Sequence, residues 1–392
     1  MAKNILILGG GTGGVVAALF LSEQIKRFGL DANVTLVNKT EWHYMPPLWM
    51  DVALEGIPLE ETRAPIRGLE KYGVKVVVDE ATGINVAERR VDLASGKSLS
   101  YDYLIVALGS RNGWEAYPGL AEEGYHNYDP ESAVRMNAAL KKFRGGRIVI
   151  LTPEIPFRCG IYPIEFATVL AAYFESRKIP GDITVVLPKM NGGITPIEAL
   201  GPDIERLWRK YIEKYNIKVI AHDGLERVDP ASKKVVLKNA EVPYDFLIKV
   251  PPMRLPKVLD IPEFIDESDP RFTKVKAPDF RHPVYDEVFL IGEHAMPPAG
   301  LGTAGVFIHS AAYRVGALLL EELGGKYATP EIPPVLCVAY VADKGFMGMC
   351  NIWYDSSQGR YAWGKCYNVL EAGFVKLIKR SFYQGWLDRL RV

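Results

Sequence analysis

The chain has 392 residues, 48% of them hydrophobic and 24% charged, with 47 basic residues balanced by 47 acidic ones. That is the balance of a folded protein long enough for two domains, and it excludes a disordered chain. Cancelling charge leaves no global field, so no nucleic-acid partner is expected.

The opening NILILGGGTGGVVAALFLSEQI predicts a short strand, a glycine loop and an amphipathic helix, and NVTLVNKT predicts a second strand, completing a βαβ unit. A lysine before the first apolar run mimics a secretory leader, but the glycines interrupt it and no small-residue cleavage site follows. A Pro/aromatic segment, EWHYMPPLWM, comes next, then strands and turns from VKVVVDEATGINVAERRVDLASGKSLS to YDYLIVALGS. From about residue 111 to 280 the alternation restarts with RIVILTP, IEFATVLAAYFESRK, DITVVLP, IERLWRKYIEKYN and IKVIAH. EVFLIGEH predicts a late buried strand, and TAGVFIHSAAYRVGALLLEELGG a glycine-capped helix that returns to the first domain. Residues 326–392 read as a tail rich in Pro, Cys and aromatics. Nowhere do about 18 apolar residues run on without charge, so no membrane-spanning helix is expected.

The four cysteines, Cys159, Cys337, Cys350 and Cys366, are too few and too scattered for a disulfide framework, and their spacing matches neither zinc nor thioredoxin-like chemistry. No metal site is expected, and a cytoplasmic setting is the default.

Gly9, Gly11 and Gly14 form G-x-G-x-x-G between a strand and a helix, with Thr12 and Gly13 inside the loop. The first glycine permits the turn, the second admits a pyrophosphate, and the third lets the helix meet the sheet. The second strand ends in Asn38 and Lys39 where an acidic residue usually binds ribose. Asn38 can accept from one hydroxyl, or it is only a turn residue. A second phosphate loop is missing: IVIL is followed by TPEIPFRCG, whose prolines remove the free N–H groups a pyrophosphate needs. Cys159 falls just before a helix near Pro163, where the helix end and Arg158 would favour a thiolate. The alternative is a small buried filler.

Two further segments resemble the two-dinucleotide flavoproteins. YDYLIVALGS, with Ala107 and Gly109, stands where those enzymes have a strand ending in A-T-G. EVFLIGEH, with Gly292 and Glu293, stands where they have the strand that holds the flavin ribityl chain. Both point to FAD, although plain core strands would read similarly. Together with VTLVNKTEWHYMPP, CGIYPIEF and PVLCVAYVADKG, they make the chain similar to the sulfide:quinone oxidoreductase family, relatives of the flavocytochrome c sulfide dehydrogenases.

The resemblance implies an α/β protein with two Rossmann-like three-layer domains of the disulfide-reductase-type flavoprotein fold and a C-terminal amphipathic helical tail. Its expected parts are an FAD domain in two pieces, 1–110 and 281–325, a second Rossmann-like domain at 111–280, and a membrane- and quinone-associated region at 326–392. It implies a redox pair, Cys159 and Cys337, and a candidate base, Glu165, which a helix-dipole role explains equally well. The family's late K-T-G is Thr303-Ala304-Gly305 here, so Gly305 keeps the cofactor position while the lysine is lost. A third cysteine is absent from GYHNYDPESA, which argues against covalent flavin at that point, and the family's usual histidines find no match, His126 being nearby but not aligned. Cys350 and Cys366 are read as structural, with Cys350 the substitute if Cys337 points elsewhere.

The chemistry so implied is attack of HS⁻ on a Cys159 to Cys337 disulfide, directly or with sulfur inserted. One cysteine keeps the sulfur and the other passes electrons to FAD and on to quinone. In the last helix, VLEAGFVKLIKRSFYQGWLDRLRV, Leu370, Phe374, Leu377, Ile378 and Trp386 oppose Lys376, Lys379, Arg380, Arg389 and Arg391. That suits a helix lying in the headgroup region, or one packed on its own domain or a neighbouring subunit. Phe346 and Phe374 are the quinone candidates, the cytoplasmic membrane face is the default location, and a homo-oligomer is expected. Rival readings are a type II NADH:quinone oxidoreductase, a soluble sulfide dehydrogenase with a cytochrome acceptor, and a non-catalytic FAD-binding scaffold.

Overall fold

In the computed structural model, which describes residues 2–190, 195–295, 305–326, 335–355 and 360–391, five parallel strands form the first sheet. Their order is Val288–Leu290, Tyr103–Val106, Lys3–Leu8, Ala32–Asn38 and Lys75–Val78. Ile5, Leu6, Ile7 and Leu8 are all buried, which is why this strand reads as an unbroken apolar run rather than an alternation. Helix α1 (Thr12–Phe28) follows it and closes on Gly29 in the left-handed region. The aromatic segment after the second strand becomes a three-residue strand, a 3₁₀ turn and the short helix α2 (Trp49–Glu55). Helix α3 (Pro130–Lys142), capped by Asp129, packs against α2.

The second sheet is also parallel, in the order Lys218–His222, Gly181–Pro188, Gly146–Leu151 and Phe246–Lys249. Helix α4 (Tyr162–Arg177) connects its two central strands. The one-turn α5 (Pro196–Ala199) precedes α6 (Pro202–Lys214), which buries Ile204, Leu207, Trp208 and Tyr211, one stripe at helical spacing. The chain then returns to the first sheet through Val288–Leu290. Helix α7 (Gly305–Glu322) packs on α1, with Gly316 leaving room for the ring of Phe20.

The tail departs from the sequence reading. Residues Val335–Val341, Lys344–Asp355 and Arg360–Ala372 form an antiparallel meander before helix α8 (Gly373–Arg391), so Leu370 lies on a strand and not on the last helix. Cys350 and Cys366 face each other across this meander and are joined by a disulfide, a pairing that scattered positions in the sequence did not suggest. Ala339, Tyr340, Val341 and Phe346 of the meander extend the core of the second domain, while Leu387 and Leu390 of α8 enter the core of the first. The tail therefore straps the two sheets together, and between them it closes a cavity.

Candidate active site

A cavity of about 1400 Å³ runs from the first glycine loop to the start of α4 and the tail. Gly9, Gly11, Thr12, Gly13, Asn38, Lys39, Ala107, Gly109, Gly292, Glu293 and Gly305 line its glycine-loop end. Gly14 does not: it packs under the loop, where a β-carbon would sit on the carbonyl oxygen of Gly9. A β-carbon on Gly11 would meet nothing within 4 Å, and no side chain caps the start of α1 there. That open space beside bare helix amides fits the pyrophosphate of a dinucleotide such as FAD.

Asn38 serves the loop more than a ribose. Its Oδ1 accepts from the Gly10 N–H at 2.8 Å, and its Nδ2 donates to the carbonyls of Thr40 and Trp42 at 2.8 and 3.2 Å. Lys39 reaches Glu80 at 2.9 Å, and Glu80, which the sequence did not single out, adds a carboxylate to the same wall. Thr303 and Ala304 lie outside the described residues.

At the other end, the two free cysteines, Cys159 and Cys337, line the same cavity, one from the loop before α4 and one from the first tail strand. Cys159 adopts the left-handed region (φ 57°), and its sulfur faces the amides of Ile161 and Tyr162. Burial nevertheless outweighs those amides and pushes both thiols up to about 12, with Glu165 adding to the rise in each. The expected thiolate is thus not favoured, and Arg158 does not supply it. Arg158 turns away, donating from Nε to Glu293 Oε2 at 2.8 Å and to Ser110 Oγ at 3.1 Å. Glu293 also accepts from Ser110 Oγ at 2.6 Å, so this carboxylate ties the cysteine loop to the first domain.

Glu165 is 3% exposed, and its Oε1 accepts from Lys379 Nζ at 2.6 Å and from the Tyr340 N–H at 2.7 Å. Lys379 was expected on the solvated basic face of the last helix. It instead enters the buried stripe four residues after Val375, with Leu387 and Leu390 further along. Burial pulls its ammonium down, but the charges of Glu165 and Tyr383 more than offset this and leave it raised. Its spacing from Val375 was the available signal. Lys379 and Tyr383 line the cavity, as does His309, which the sequence also passed over.

The quinone candidates fall differently. Phe346 is fully buried, edge-on to Trp208 at 5.1 Å between ring centroids, because its strand faces α6; it is a core residue. Phe374 is exposed, in a row with Leu377, Ile378 and Phe382 on α8, and the last two reach the cavity together with Leu336. His126 lies beside Trp114 and does not line the cavity.

Where a second phosphate loop would lie, Glu154 accepts from Arg254 at 2.6 Å and Arg271 at 3.2 Å, with Tyr117 Oη at 3.2 Å. A carboxylate therefore holds the basic groups that a pyrophosphate would require.

The family model described as pyridine nucleotide-disulphide oxidoreductase matches residues 3–250. A mitochondrial sulfide:quinone oxidoreductase of Mus musculus is 27% identical over 327 residues, 79% of this chain and 70% of the relative. A sulfide-quinone reductase of Aquifex aeolicus is 23% identical over 368 residues, 88% of this chain and 83% of the relative. The X-ray structure of the sulfide:quinone oxidoreductase from Aquifex aeolicus superposes with a TM-score of 0.83 at 21% identity, over 100% of this chain and 92% of that one. The NDH2 structure from Plasmodium falciparum in complex with NADH gives 0.71 at 13% identity, over 100% of this chain and 96% of that one. With the parallel sheets, the glycine loop and a family match across more than half of its residues, the chain belongs to the pyridine nucleotide-disulphide oxidoreductase family.

Proposed function

We propose that this protein oxidises sulfide at Cys159 and Cys337 with FAD and hands the electrons to a membrane quinone. The observation that carries the reading is that two free cysteines, distant in sequence, line one cavity with the glycine loop. FAD, when bound, supplies a two-electron acceptor and donor. Gly11 and the start of α1 would hold its pyrophosphate, and the backbone at Gly109 and Gly292 borders the rest of the cavity.

In this reading the cysteines act in an oxidised, sulfur-bridged form, and the raised reduced thiols make them poor nucleophiles themselves near neutral pH. HS⁻ is the nucleophile, and it opens the bridge so that one cysteine keeps the added sulfur. Glu165 and Lys379 border the reacting sulfurs and hold a negative and a positive charge in place. Relatives named sulfide:quinone oxidoreductase support the substrate pair, and the Glu154 cluster speaks against nicotinamide at the second domain.

No helix among the described residues is long and apolar enough to cross a membrane. The exposed row Phe374, Leu377, Ile378 and Phe382 supports shallow docking of α8, with a quinone entering between Leu336, Ile378 and Phe382. The test is an anaerobic sulfide titration that follows the flavin spectrum. Sulfide should bleach the parent, NADH should not, and Cys159→Ser or Cys337→Ser should abolish the response. Bleaching that survives in both variants removes the cysteines from the reaction.

A further inference from the structure

Behind the sulfur end of the cavity lies a buried charged cluster. Asp51 on α2 is 3% exposed, and its Oδ2 accepts from Tyr340 Oη at 3.1 Å. Tyr340 also gives its N–H to Glu165, and its ring lies 3.8 Å from Lys379 Nζ. Lys379 thus stands between two buried carboxylates, with its direct ion pair to Glu165. Of the cations of α8 nearby, Lys376 and Arg380 are paired with Glu55 and Glu61, which leaves one buried ammonium for two buried carboxylates and room for one more proton.

Asp51 is where that proton fits. Burial pushes its carboxyl up to about 6; Lys379, the Tyr340 hydroxyl and Arg380 pull it down, while Glu55 adds to the rise. The charged and titratable groups acting on it are Glu55 on α2, Lys379 and Arg380 on α8, and Tyr340 on the tail sheet, while Lys376 of α8 and Glu165 of α4 contact that same Tyr340. Lys141 of α3 approaches Gly56, the residue that closes α2. Glu55 is the link to solvent, pairing with Lys376 at 2.8 Å and Arg380 at 3.7 Å, while Arg380 also meets Glu61 at 3.2 Å.

We infer that Asp51 is the proton acceptor serving the sulfur site, coupled to it through Glu165, Lys379 and Tyr340 and exchanging with solvent beside Glu55. The inference rests on the sulfide reading. Neutral hydrogen sulfide entering the desolvated site gives up one proton to become the nucleophile HS⁻. Oxidation of HS⁻ to sulfane sulfur then releases an electron pair and a second proton, and the sulfur stays bonded to the cysteine pair. Reduction of a quinone-class acceptor to the quinol takes up the electron pair and two protons, so both protons are finally consumed there; until that step the first proton is the one the sulfur site must store, and its equivalent returns by exchange with solvent. The cysteine site is too desolvated to tolerate that charge change alone, and the cluster takes the proton as a unit. Asp51 touches neither substrate nor cofactor, so it is a positioning residue whose charge compensates the site.

The variant is Asp51→Asn, which keeps an acceptor for the Tyr340 hydroxyl and cannot titrate. The readout is the ratio of parent to variant rates of sulfide-dependent flavin reduction between about pH 5 and 8; the ratio cancels the titration of sulfide itself. The expected ratio is about tenfold above pH 7 and falls to one at low pH, where Asp51 is already protonated. Tyr340→Phe, which removes one of the downward pulls, should move that fall to higher pH. A ratio that does not change with pH overturns the inference while leaving the sulfide reading intact. Without any substrate, infrared difference spectra should show a carboxylic-acid band that titrates in the parent and is missing from Asp51→Asn; its absence in the parent also overturns the inference. A parent that shows the band but is not reduced by sulfide overturns the sulfide reading, and the acceptor role falls with it.

Discussion

Lys379 and Glu165 lie 214 positions apart and meet at 2.6 Å, with side chains only 5% and 4% exposed. A buried pair of this kind is costly to break from one side, because the surviving charge has no partner and no water. Lys379→Met should therefore lower unfolding stability by about 3–5 kcal/mol. Chemical denaturation would measure this, and adding Glu165→Gln should restore a large part of the loss.

Asp51 makes stability depend on pH in a defined direction. Its folded carboxyl is raised from 3.8 to about 6 by burial, so the folded state binds the proton more tightly than the unfolded chain does. The stabilisation is complete below the unfolded value and is lost as pH rises through the folded one. Between about pH 4 and 6 the parent should lose roughly 2–3 kcal/mol relative to Asp51→Asn. Melting temperatures of both proteins across that window give the comparison.

With the free thiols of Cys159 and Cys337 both pushed up to about 12, the reduced protein should resist alkylation. At pH 8 iodoacetamide should modify Cys159 and Cys337 at least about a hundredfold more slowly than free cysteine, since only the thiolate reacts. The rate should climb steadily toward pH 11. Labelling as fast as a free thiol would mean that the pair is solvated and acidic.

Gly11 and Gly14 should separate binding from folding. Gly14→Ala places a methyl against the Gly9 carbonyl and should impair folding, whereas Gly11→Ala meets only open space. The second variant should keep the parent melting curve of the apoprotein and lose flavin on gel filtration. Retained flavin in Gly11→Ala would place the pyrophosphate elsewhere.

The Cys350–Cys366 bridge closes a span of 16 residues in the tail meander. Its removal should cost about 3 kcal/mol by the loop-entropy estimate. Cys350→Ser with Cys366→Ser, compared with the parent by urea unfolding, tests this. Thiol labelling of unfolded protein should leave Cys350 and Cys366 unmodified until reductant is added.

Local patterns were legible. The glycine loop, the buried strands, α1, α4, α6 and α7, and the substitution of TPEIPFRCG for a phosphate loop all follow from turn sterics, periodicity and missing N–H groups over a few residues. The meander in the tail was not legible, since aromatic and cysteine residues scattered along it acquire an alternation only once its partner strands are known. Phe346, a quinone candidate by its place among the tail aromatics, packs edge-on against Trp208 because α6 lies beside it.

The sequence by itself determined the α/β class and supplied Cys159 as a candidate for chemistry, with Cys337 and Glu165 added as candidates by the family resemblance. Only the tertiary structure decided that Arg158 serves Glu293, that Cys350 joins Cys366, and that Lys379, Tyr340 and Asp51 stand behind the cysteines. The physical reason is range: backbone sterics and hydrophobic periodicity act between near neighbours. A charge's partner and its solvation depend instead on which distant elements pack around it.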